Sequence, residues 1–173
     1  MEKAACNEDK KIKLVKVNMK NYGELIDLEV EESQKNYVAP NIYSLAEAYA
    51  TLADGKFVQP FGIYAGETPV GFLMIGYDLE DCFYDAVPYF TVNGYLIWRF
   101  MIAKEHQKKG YGKEAMKLAL DYIRTLPAGP AEYCWLSYEP ENEAAKKLYT
   151  SFGFTEVPEF YEEGDEMPAI LKL

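Results

Sequence analysis

Histidine and cysteine are scarce in this chain of 173 residues. His106 is the only histidine, so a metal site built from several histidines is excluded. Because His106 directly precedes a glycine-containing loop, we interpret it as a surface residue and not as the base of a Ser-His-Asp triad. The three cysteines, Cys6, Cys82 and Cys134, lack the spacing of a metal site and cannot all pair, which is typical of reduced thiols in a cytoplasmic protein. Cys134 lies in an apolar run and is expected in the core. No metal is predicted.

The chain also lacks an apolar run of about twenty residues, the length needed to span a bilayer. Residues 1–11 are polar and contain no apolar segment of the signal-peptide type, so we interpret them as a short tail. These absences predict a cytoplasmic protein with no membrane partner. The hydrophobic fraction of 49% is sufficient for the core of a single domain over residues 1–173.

Excess positive charge is absent from the chain as a whole, whose net charge is −10, so a nucleic-acid partner is not expected. Lysines nevertheless gather around residues 107–112, which read Gln-Lys-Lys-Gly-Tyr-Gly. The residues before this loop predict a buried strand over 95–102, and those after it predict a helix over 114–123. Backbone N–H groups at such a glycine-rich helix start form an anion site, so the loop predicts a phosphate-bearing ligand. Neither the Rossmann nor the P-loop glycine spacing is present.

A second motif follows about thirty residues later and predicts a helix that begins at Asn142. Asn142 is a favourable N-cap, and Ala145, Leu148 and Tyr149 recur on one face of the helix. Gly153 stands where a left-handed C-cap is wanted. By itself this pattern would indicate an amphipathic helix with Tyr149 as a core aromatic.

Taken together, the two motifs resemble the signatures Gln/Arg-x-x-Gly-x-Gly and Asn-x-x-Ala-x-x-Leu-Tyr-x-x-x-Gly-Phe of the GNAT acyl-coenzyme A N-acyltransferases. The resemblance extends over essentially the whole chain. It implies an α/β (α+β) GNAT fold, with a mixed, mostly antiparallel central sheet of about seven strands flanked by about four helices in the order β-αα-β-β-β-α-β-α-β-β. The sequence pattern predicts strands at 12–17, 61–64, 70–77, 95–102, 132–138, 154–161 and 166–173, and helices at 22–33, 44–53, 114–123 and from 142 onwards. Ser44 is the expected N-cap of the second helix, and 82–93 is an irregular connection.

The resemblance also implies a binding mode for acetyl-coenzyme A, the expected cosubstrate. The central strand of GNAT enzymes splays from its neighbour, and the pantetheine arm fills the gap. Backbone groups at the end of that strand would pair with the arm, and N–H groups of the glycine loop would hold the pyrophosphate. Gly110 and Gly112 would be required because a Cβ would block this approach. The implied cofactor-binding residues are Met101, Ile102, Ala103, Gln107, Lys108, Lys109, Gly110, Tyr111, Gly112, Lys113, Asn142 and Ala145.

The same resemblance implies direct attack by an amine in a ternary complex, with Tyr149 as the general acid for the departing thiolate. A positioned proton donor of this kind contributes roughly 10²–10⁴-fold to a rate. Glu139, with Glu29 and Glu32 as alternatives, is the candidate for a water-mediated base, because an alkyl amine with a pKa near ~10 must lose a proton before it attacks.

The acceptor is predicted to be a cationic small molecule. Acidic residues crowd the first predicted helix and the final hairpin, which border the acceptor channel in the GNAT layout. Residues 31–46, 99–102 and 136–142 resemble bacterial spermine/spermidine acetyltransferases, although Trp98 stands where some of those enzymes carry an acid. Glu29, Glu32 and Trp98 are the candidate substrate-binding residues, with Tyr37, Tyr43, Tyr84 and Tyr89 as further lining. The alternatives are another amine acceptor (a protein N-terminus, an aminoglycoside or an amino acid) and a non-catalytic coenzyme A-binding module. Dimerisation is common among such enzymes, so a homodimer is a further expectation.

Overall fold

The computed structural model describes residues 11–79 and 87–173. In this part of the chain seven strands form one sheet in the order β1-β2-β3-β4-β5-β7-β6, with four α-helices packed around it. The strands are β1 Ile12–Lys16, β2 Phe57–Ala65, β3 Thr68–Tyr77, β4 Tyr95–Ile102, β5 Tyr133–Tyr138, β6 Thr155–Glu156 and β7 Met167–Lys172. The helices are α1 Tyr22–Ile26, α2 Asn41–Ala53, α3 Tyr111–Ile123 and α4 Glu143–Ser151, with 3-10 helices at Glu32–Gln34, Lys104–His106 and Pro158–Phe160. The predicted fold class is confirmed. Cys6, Tyr84 and Cys82, with the start of the 82–93 connection, lie outside the described residues.

The core lies on both faces of the sheet, which explains why the middle of β3 is apolar without alternation. Phe72 and Met74 point to one face, where they pack with Ala48 of α2. Leu73 and Ile75 point to the other face and join a larger cluster that includes residues of α3. Successive side chains of a strand face opposite sides, so a strand covered by helices on both sides must be apolar throughout.

The sheet opens between β4 and β5, and this opening positions the site. The two strands pair in parallel only at Tyr95↔Cys134 and Leu96↔Trp135. Beyond these pairs β4 stays bonded to β3, whereas β5 stays bonded to β7 as far as Tyr138. The register of β3 and β4 also shifts at this point, because Arg99 pairs with Met74 and Ile97 with Ile75, which leaves Trp98 as a bulge residue.

The region before α2 differs from the sequence prediction. A single helix was expected over 22–33, but α1 ends at Ile26 and a 3-10 turn follows at Glu32–Gln34. The intervening Glu29 carbonyl accepts a hydrogen bond from the Lys104 N–H at 2.9 Å, which a continued helix would not allow. Likewise α2 begins at Asn41, and the Ser44 hydroxyl donates back to the Pro40 carbonyl, so Ser44 is not the N-cap. The Asn41 amide instead donates to the Leu25 carbonyl at 2.8 Å and ties α2 to α1.

Two strand boundaries also differ from the prediction. β2 begins at Phe57, four residues earlier than expected, and Pro60 does not end it. The predicted strand over 154–161 is reduced to Thr155–Glu156 before the 3-10 turn at Pro158–Phe160, because a proline cannot donate a ladder hydrogen bond. The turn before β7 does contain Gly164, at φ +98°. No helix among the described residues combines the length and the apolar character that a bilayer crossing demands.

Candidate active site

A cleft of about 720 Å³ occupies the opening between β4 and β5. One wall is β4 from residue 97 to 102, and the opposite wall is the end of β5 together with α4. The glycine loop closes one end, and residues 30 and 34–39 form a further wall. The two motifs that the sequence placed on separate elements therefore meet at one cavity.

The glycine loop presents unpaired backbone donors to this cleft. The Lys113 N–H donates to the Gly110 carbonyl at 3.1 Å, whereas the N–H groups of residues 107–112 make no main-chain hydrogen bond within the described part of the chain. Gly110, at φ +83°, turns the chain into α3, and Lys108 also has a positive φ of 61°. Such a run of N–H groups ahead of a helix of thirteen residues suits a diphosphate.

A Cβ at either loop glycine would clash with no neighbouring residue. A Cβ added at Gly110 would meet nothing within 4 Å, and one at Gly112 would lie 3.7 Å from Ile102 Cγ1. The space above the loop is therefore left open by the fold itself, which fits a coenzyme A pyrophosphate lying against the backbone. The prediction that a Cβ at these positions would block that ligand stays a prediction.

The predicted cofactor residues fall into two groups. Those that line the cleft are Met101, Ile102, Gln107, Lys108, Gly110, Tyr111, Gly112, Asn142 and Ala145. Ala103, Lys109 and Lys113 are not part of the lining. Ala103 is fully buried and its N–H donates to the Val70 carbonyl at 2.9 Å, while the Lys109 ammonium donates to the Glu105 carbonyl at 2.8 Å.

Helix α4 aims Tyr149 at the cleft. The expected N-cap is confirmed, because Asn142 Oδ1 accepts the Ala145 N–H at 3.1 Å, and this leaves the Asn142 amide N–H₂ to face the cleft. Gly153, at φ +91°, follows the helix with the expected left-handed conformation. The Tyr149 ring is buried and packs against Tyr138, with ring centroids 5.5 Å apart.

Burial raises the pKa of the Tyr149 phenol above its ordinary value near 10, and the negative charge of Glu166 raises that pKa further. The phenol therefore holds its proton at neutral pH, as a general acid must. Tyr138, the cleft tyrosine that packs against Tyr149, donates its own hydroxyl proton to Glu156 at 2.6 Å, and Glu156 is held by Lys146 at 2.9 Å. Of the two phenols, the Tyr138 proton is thus committed to an internal acceptor.

Three carboxylates gather where β5 leaves the cleft. Glu166 lines the cleft and accepts a hydrogen bond from the Ser137 hydroxyl. Glu139 is half-buried, and its pKa is raised first by burial and then by the charges of Glu166 and Glu141. Glu139, the predicted base, therefore lies beside the cleft but is not part of its lining. Sequence reasoning did not single out Glu166 or Ser137, because the only signal linking them is the register that pairs Ser137 with Pro168.

The two glutamates predicted to bind substrate, Glu29 and Glu32, lie outside the cleft lining. Glu29 pairs with Lys104 at 3.0 Å, and the Lys104 hydrogen bond and charge lower the pKa of Glu29. Glu32 pairs with Lys35 at 2.7 Å. Neither carboxylate lines the cleft, so a contact with substrate stays a prediction for both.

Aromatic side chains are also dispersed. Trp98 and Tyr37 line the cleft. Tyr43 is 58% exposed on α2, and Tyr89 packs against Phe90, Tyr133 and Phe160, so neither contributes to the lining.

Arg99 is a cleft residue that sequence reasoning did not assign. One guanidinium nitrogen lies 2.7 Å from Glu47 of α2, and another donates to the Trp98 carbonyl at 2.9 Å. The Arg99 guanidinium also lies 5.4 Å from the centre of the Trp98 ring. Because Glu47 balances its charge, this part of the cleft wall is close to electrically neutral.

Comparison with known proteins identifies the family. The model of the acetyltransferase (GNAT) family matches residues 18–154. The chain belongs to the GNAT acetyltransferase family. It is accordingly an acetyl-coenzyme A-dependent N-acetyltransferase, as the two motifs predicted.

Two curated relatives of this acetyltransferase come from Bacillus subtilis. A probable spermine N(1)-acetyltransferase of subspecies natto (strain BEST195) is 31% identical over 136 residues, which cover 78% of this chain and 81% of that protein. A spermine/spermidine N(1)-acetyltransferase of strain 168 is 30% identical over the same length. Among solved structures, the PaiA N-acetyltransferase of Thermoplasma acidophilum in complex with coenzyme A has a TM-score of 0.63 at 17% identity, over 94% of this chain and 99% of that chain. At that identity the likeness supports the fold alone.

The donors in this acetyltransferase are suited to an organic cosubstrate. Within residues 11–79 and 87–173, no group of three or more histidine, cysteine or acidic side chains is arranged to hold a metal ion. The cleft instead offers backbone N–H groups at the glycine loop, a buried phenol on α4 and carboxylates at the end of β5.

Proposed function

We propose that this acetyltransferase transfers an acetyl group from acetyl-coenzyme A to a primary amine of a polyamine of the spermine/spermidine type. The observation that carries the proposal is the group of Glu139, Glu141 and Glu166 at the end of β5, of which Glu166 lines the cleft and acts on the Tyr149 phenol. Burial, and then repulsion by Glu166 and Glu141, raises the pKa of Glu139, so a cationic ligand near this group would relieve an unfavourable charge arrangement. The names of the two B. subtilis relatives point to the same class of acceptor.

Coenzyme A fits the opposite end of the cleft. The unpaired N–H groups of residues 107–112 would hold the pyrophosphate, and the free edge of β4 beyond Leu96 would pair with the pantetheine arm. The Asn142 amide N–H₂ is available to the same arm. Acetyl-coenzyme A supplies the activated acetyl group, and the residues of this chain orient the two reactants and move protons.

Two carboxylates have different roles toward the amine: one binds it and the other accepts its proton. Glu166 lines the cleft and holds an ammonium group of the acceptor, with Ser137 fixing its orientation. Glu139 accepts the proton that the attacking nitrogen loses, through a water molecule, and its raised pKa makes it a stronger base than an ordinary carboxylate. Tyr149 then donates its phenolic proton to the departing sulfur, so no thiolate is released unprotonated into the cleft.

We propose that the acetyl group passes directly to the amine, without an acetylated cysteine as intermediate. Cys134 is fully buried in β5 and does not line the cleft, and burial raises the pKa of its thiol. Cys134, the cysteine within the described residues, is therefore not placed to carry the acetyl group, which supports attack by the amine in a ternary complex.

An amino acid acceptor is less well supported. Its carboxylate would need an unneutralised cation, but Arg99 and Lys35 of the lining are paired with Glu47 and Glu32, and Lys108 lies on the loop proposed for the pyrophosphate.

The test is coenzyme A thiol release across a panel of spermine, spermidine, putrescine, lysine, an aminoglycoside and a peptide. We expect release with spermine or spermidine, and a loss of kcat of roughly 10²–10⁴-fold in Tyr149→Phe at unchanged coenzyme A affinity. Tyr138→Phe is the control, because it keeps the ring against Tyr149 and removes a hydroxyl already committed to Glu156. Coenzyme A binding without release for any polyamine would contradict the acceptor, and equal losses in both tyrosine variants would contradict the acid.

A further inference from the structure

The segment of residues 30–39 is attached at its start to the 3-10 turn that precedes the glycine loop. The Lys104 N–H donates to the Glu29 carbonyl at 2.9 Å, and the Lys104 ammonium pairs with the Glu29 carboxylate at 3.0 Å. Further along, the Gln107 side-chain amide donates to Gln34 Oε1 at 2.7 Å. Gln107 is the first residue of the glycine loop, the proposed pyrophosphate site, whereas Gln34 belongs to the cleft wall formed by residues 30 and 34–39.

The hydrogen bonds around Gln34 and Gln107 determine which side chain is the donor and which is the acceptor. The Gln107 amide nitrogen donates a second hydrogen bond to the Ile102 carbonyl at 3.0 Å, so both of its protons have acceptors. Gln34 Oε1 accepts the Glu31 N–H at 3.2 Å as well as the Gln107 amide. A flipped Gln107 would place its oxygen against the Ile102 carbonyl oxygen, which is repulsive. Gln107 is therefore the donor and Gln34 the acceptor.

We propose that Gln34 is a positioning residue that couples binding of coenzyme A to the order of the acceptor-side wall of the cleft. When the pyrophosphate immobilises the loop at 107–112, the Gln107 side chain is held in place. Its hydrogen bond to Gln34 then stabilises the 3-10 turn that leads into residues 35–39, among them Tyr37 in the cleft lining.

The coupling is reciprocal by thermodynamic linkage, so an acceptor that orders residues 35–39 also strengthens coenzyme A binding. A single hydrogen bond of ordinary net strength corresponds to a coupling factor of about fivefold. The bound cofactor thereby prepares the amine site before the amine arrives.

The direction of the hydrogen bond yields a matched pair of variants. Gln34→Glu keeps an oxygen that accepts from both Glu31 and Gln107, so the coupling is retained. Gln107→Glu removes the donor and breaks the contact, while it leaves the Glu31–Gln34 turn intact. Gln34→Ala removes the contact together with the turn.

The experiment is amide hydrogen exchange of a peptide covering residues 30–39, without and with saturating coenzyme A. In the unsubstituted protein and in Gln34→Glu we expect coenzyme A to slow exchange in this peptide by about fivefold. In Gln34→Ala and Gln107→Glu the slowing is lost at a coenzyme A concentration that calorimetric titration of each variant shows to be saturating. Lys104→Ala is the control, because it removes an exposed ion pair and keeps the main-chain bond to Glu29, so the slowing persists.

An equal effect of coenzyme A on this peptide in Gln107→Glu and in the unsubstituted protein would overturn the proposal. So would loss of the effect in Gln34→Glu, since that variant keeps the acceptor. The measurement uses coenzyme A alone and needs no acceptor, so its failure is distinguishable from failure of the polyamine proposal. Thermal unfolding of each variant identifies any that does not fold, and Gln107→Glu carries the test if Gln34→Ala fails.

Discussion

Neighbouring side chains give chemically identical residues different roles in this cleft. Tyr138 and Tyr149 lie 5.5 Å apart, but the Tyr138 hydroxyl is bonded to Glu156, and burial keeps the Tyr149 phenol protonated. Glutamates differ in the same way. The Tyr138 and Lys146 hydrogen bonds lower the pKa of Glu156, whereas burial and two like charges raise the pKa of Glu139.

Glu139→Gln is expected to change the pH dependence of stability. Because the pKa of Glu139 is higher in the folded state than in the unfolded state, the stability linked to this group is present below the unfolded pKa and lost as pH rises through the folded pKa. Removing the titration should therefore raise the free energy of unfolding of the variant, relative to the unsubstituted protein, as pH goes from about 4 to about 7. Urea unfolding of the variant and of the unsubstituted protein at both pH values measures this change in the free energy of unfolding.

Glu156→Gln serves as the control of opposite sign. The pKa of Glu156 is lowered in the folded state, so its contribution is present above the unfolded pKa and lost as pH falls through the folded pKa. This variant should lose stability relative to the unsubstituted protein at about pH 7 and lose less at about pH 4. If the free energy of unfolding of each variant differed from that of the unsubstituted protein by the same amount at both pH values, the pKa values of the two carboxyl groups would not be shifted as described.

At the scale of elements, the junction of β4, the glycine loop and α3 contains two glycines, Gly110 and Gly112, whose backbone conformations differ. Gly110 is needed for its backbone conformation, since its φ is +83°. Gly112 has an ordinary helical position, and the nearest atom to an added Cβ is 3.7 Å away. The first glycine serves the fold, and for the second we propose a role in the approach of the ligand.

A pair of alanine substitutions separates these two roles. Gly110→Ala should lower the free energy of unfolding by about 1–2 kcal/mol, because alanine is strained in the left-handed region. Gly112→Ala should leave stability equal or slightly higher, since alanine favours helix by about 1 kcal/mol, but it should weaken coenzyme A binding. Chemical unfolding and calorimetric titration with coenzyme A measure the two effects. Unchanged coenzyme A affinity in Gly112→Ala would contradict the proposed place of the pyrophosphate.

At the scale of the whole molecule, the charge is divided between the two ends of one cleft. The chain has a net charge of −10, yet lysines surround the glycine loop while carboxylates gather at the end of β5. The anionic cofactor and the cationic acceptor that we propose would therefore be attracted to opposite ends.

This division predicts a salt effect on the acceptor. We expect kcat/KM for spermine to fall as NaCl rises from about 20 to about 300 mM, and to fall less steeply for putrescine, which carries fewer charges. Glu141→Gln, at an exposed position beside Glu139, should reduce the slope for spermine. Steady-state kinetics at constant saturating acetyl-coenzyme A measures the slopes. Equal slopes for the two amines would indicate that the carboxylates do not attract the acceptor.

Local sequence determined the elements that carry the cofactor site. β4 spans Tyr95–Ile102 as predicted, Asn142 caps α4, and Gly153 adopts the left-handed conformation. These features depend on residues within a few positions of one another, namely an apolar run, a side chain three residues from a free N–H, and a glycine after a helix. Such signals are complete within a short stretch of chain, and so the family, the fold order and the site of Tyr149 could be predicted.

Only the tertiary structure decided which polar side chains meet across the cleft. Gln34 and Gln107 are 73 residues apart, Arg99 and Glu47 are 52 apart, and Ser137 and Glu166 are 29 apart. Each contact depends on how the strands are aligned and on where the chain before α2 crosses the end of β4. Spacing along the chain carries no record of that alignment, which is set by packing of the whole core. For this reason the sequence pattern predicted Glu29 and Glu32 as contacts of the acceptor, whereas the folded chain places Glu166 in the cleft lining.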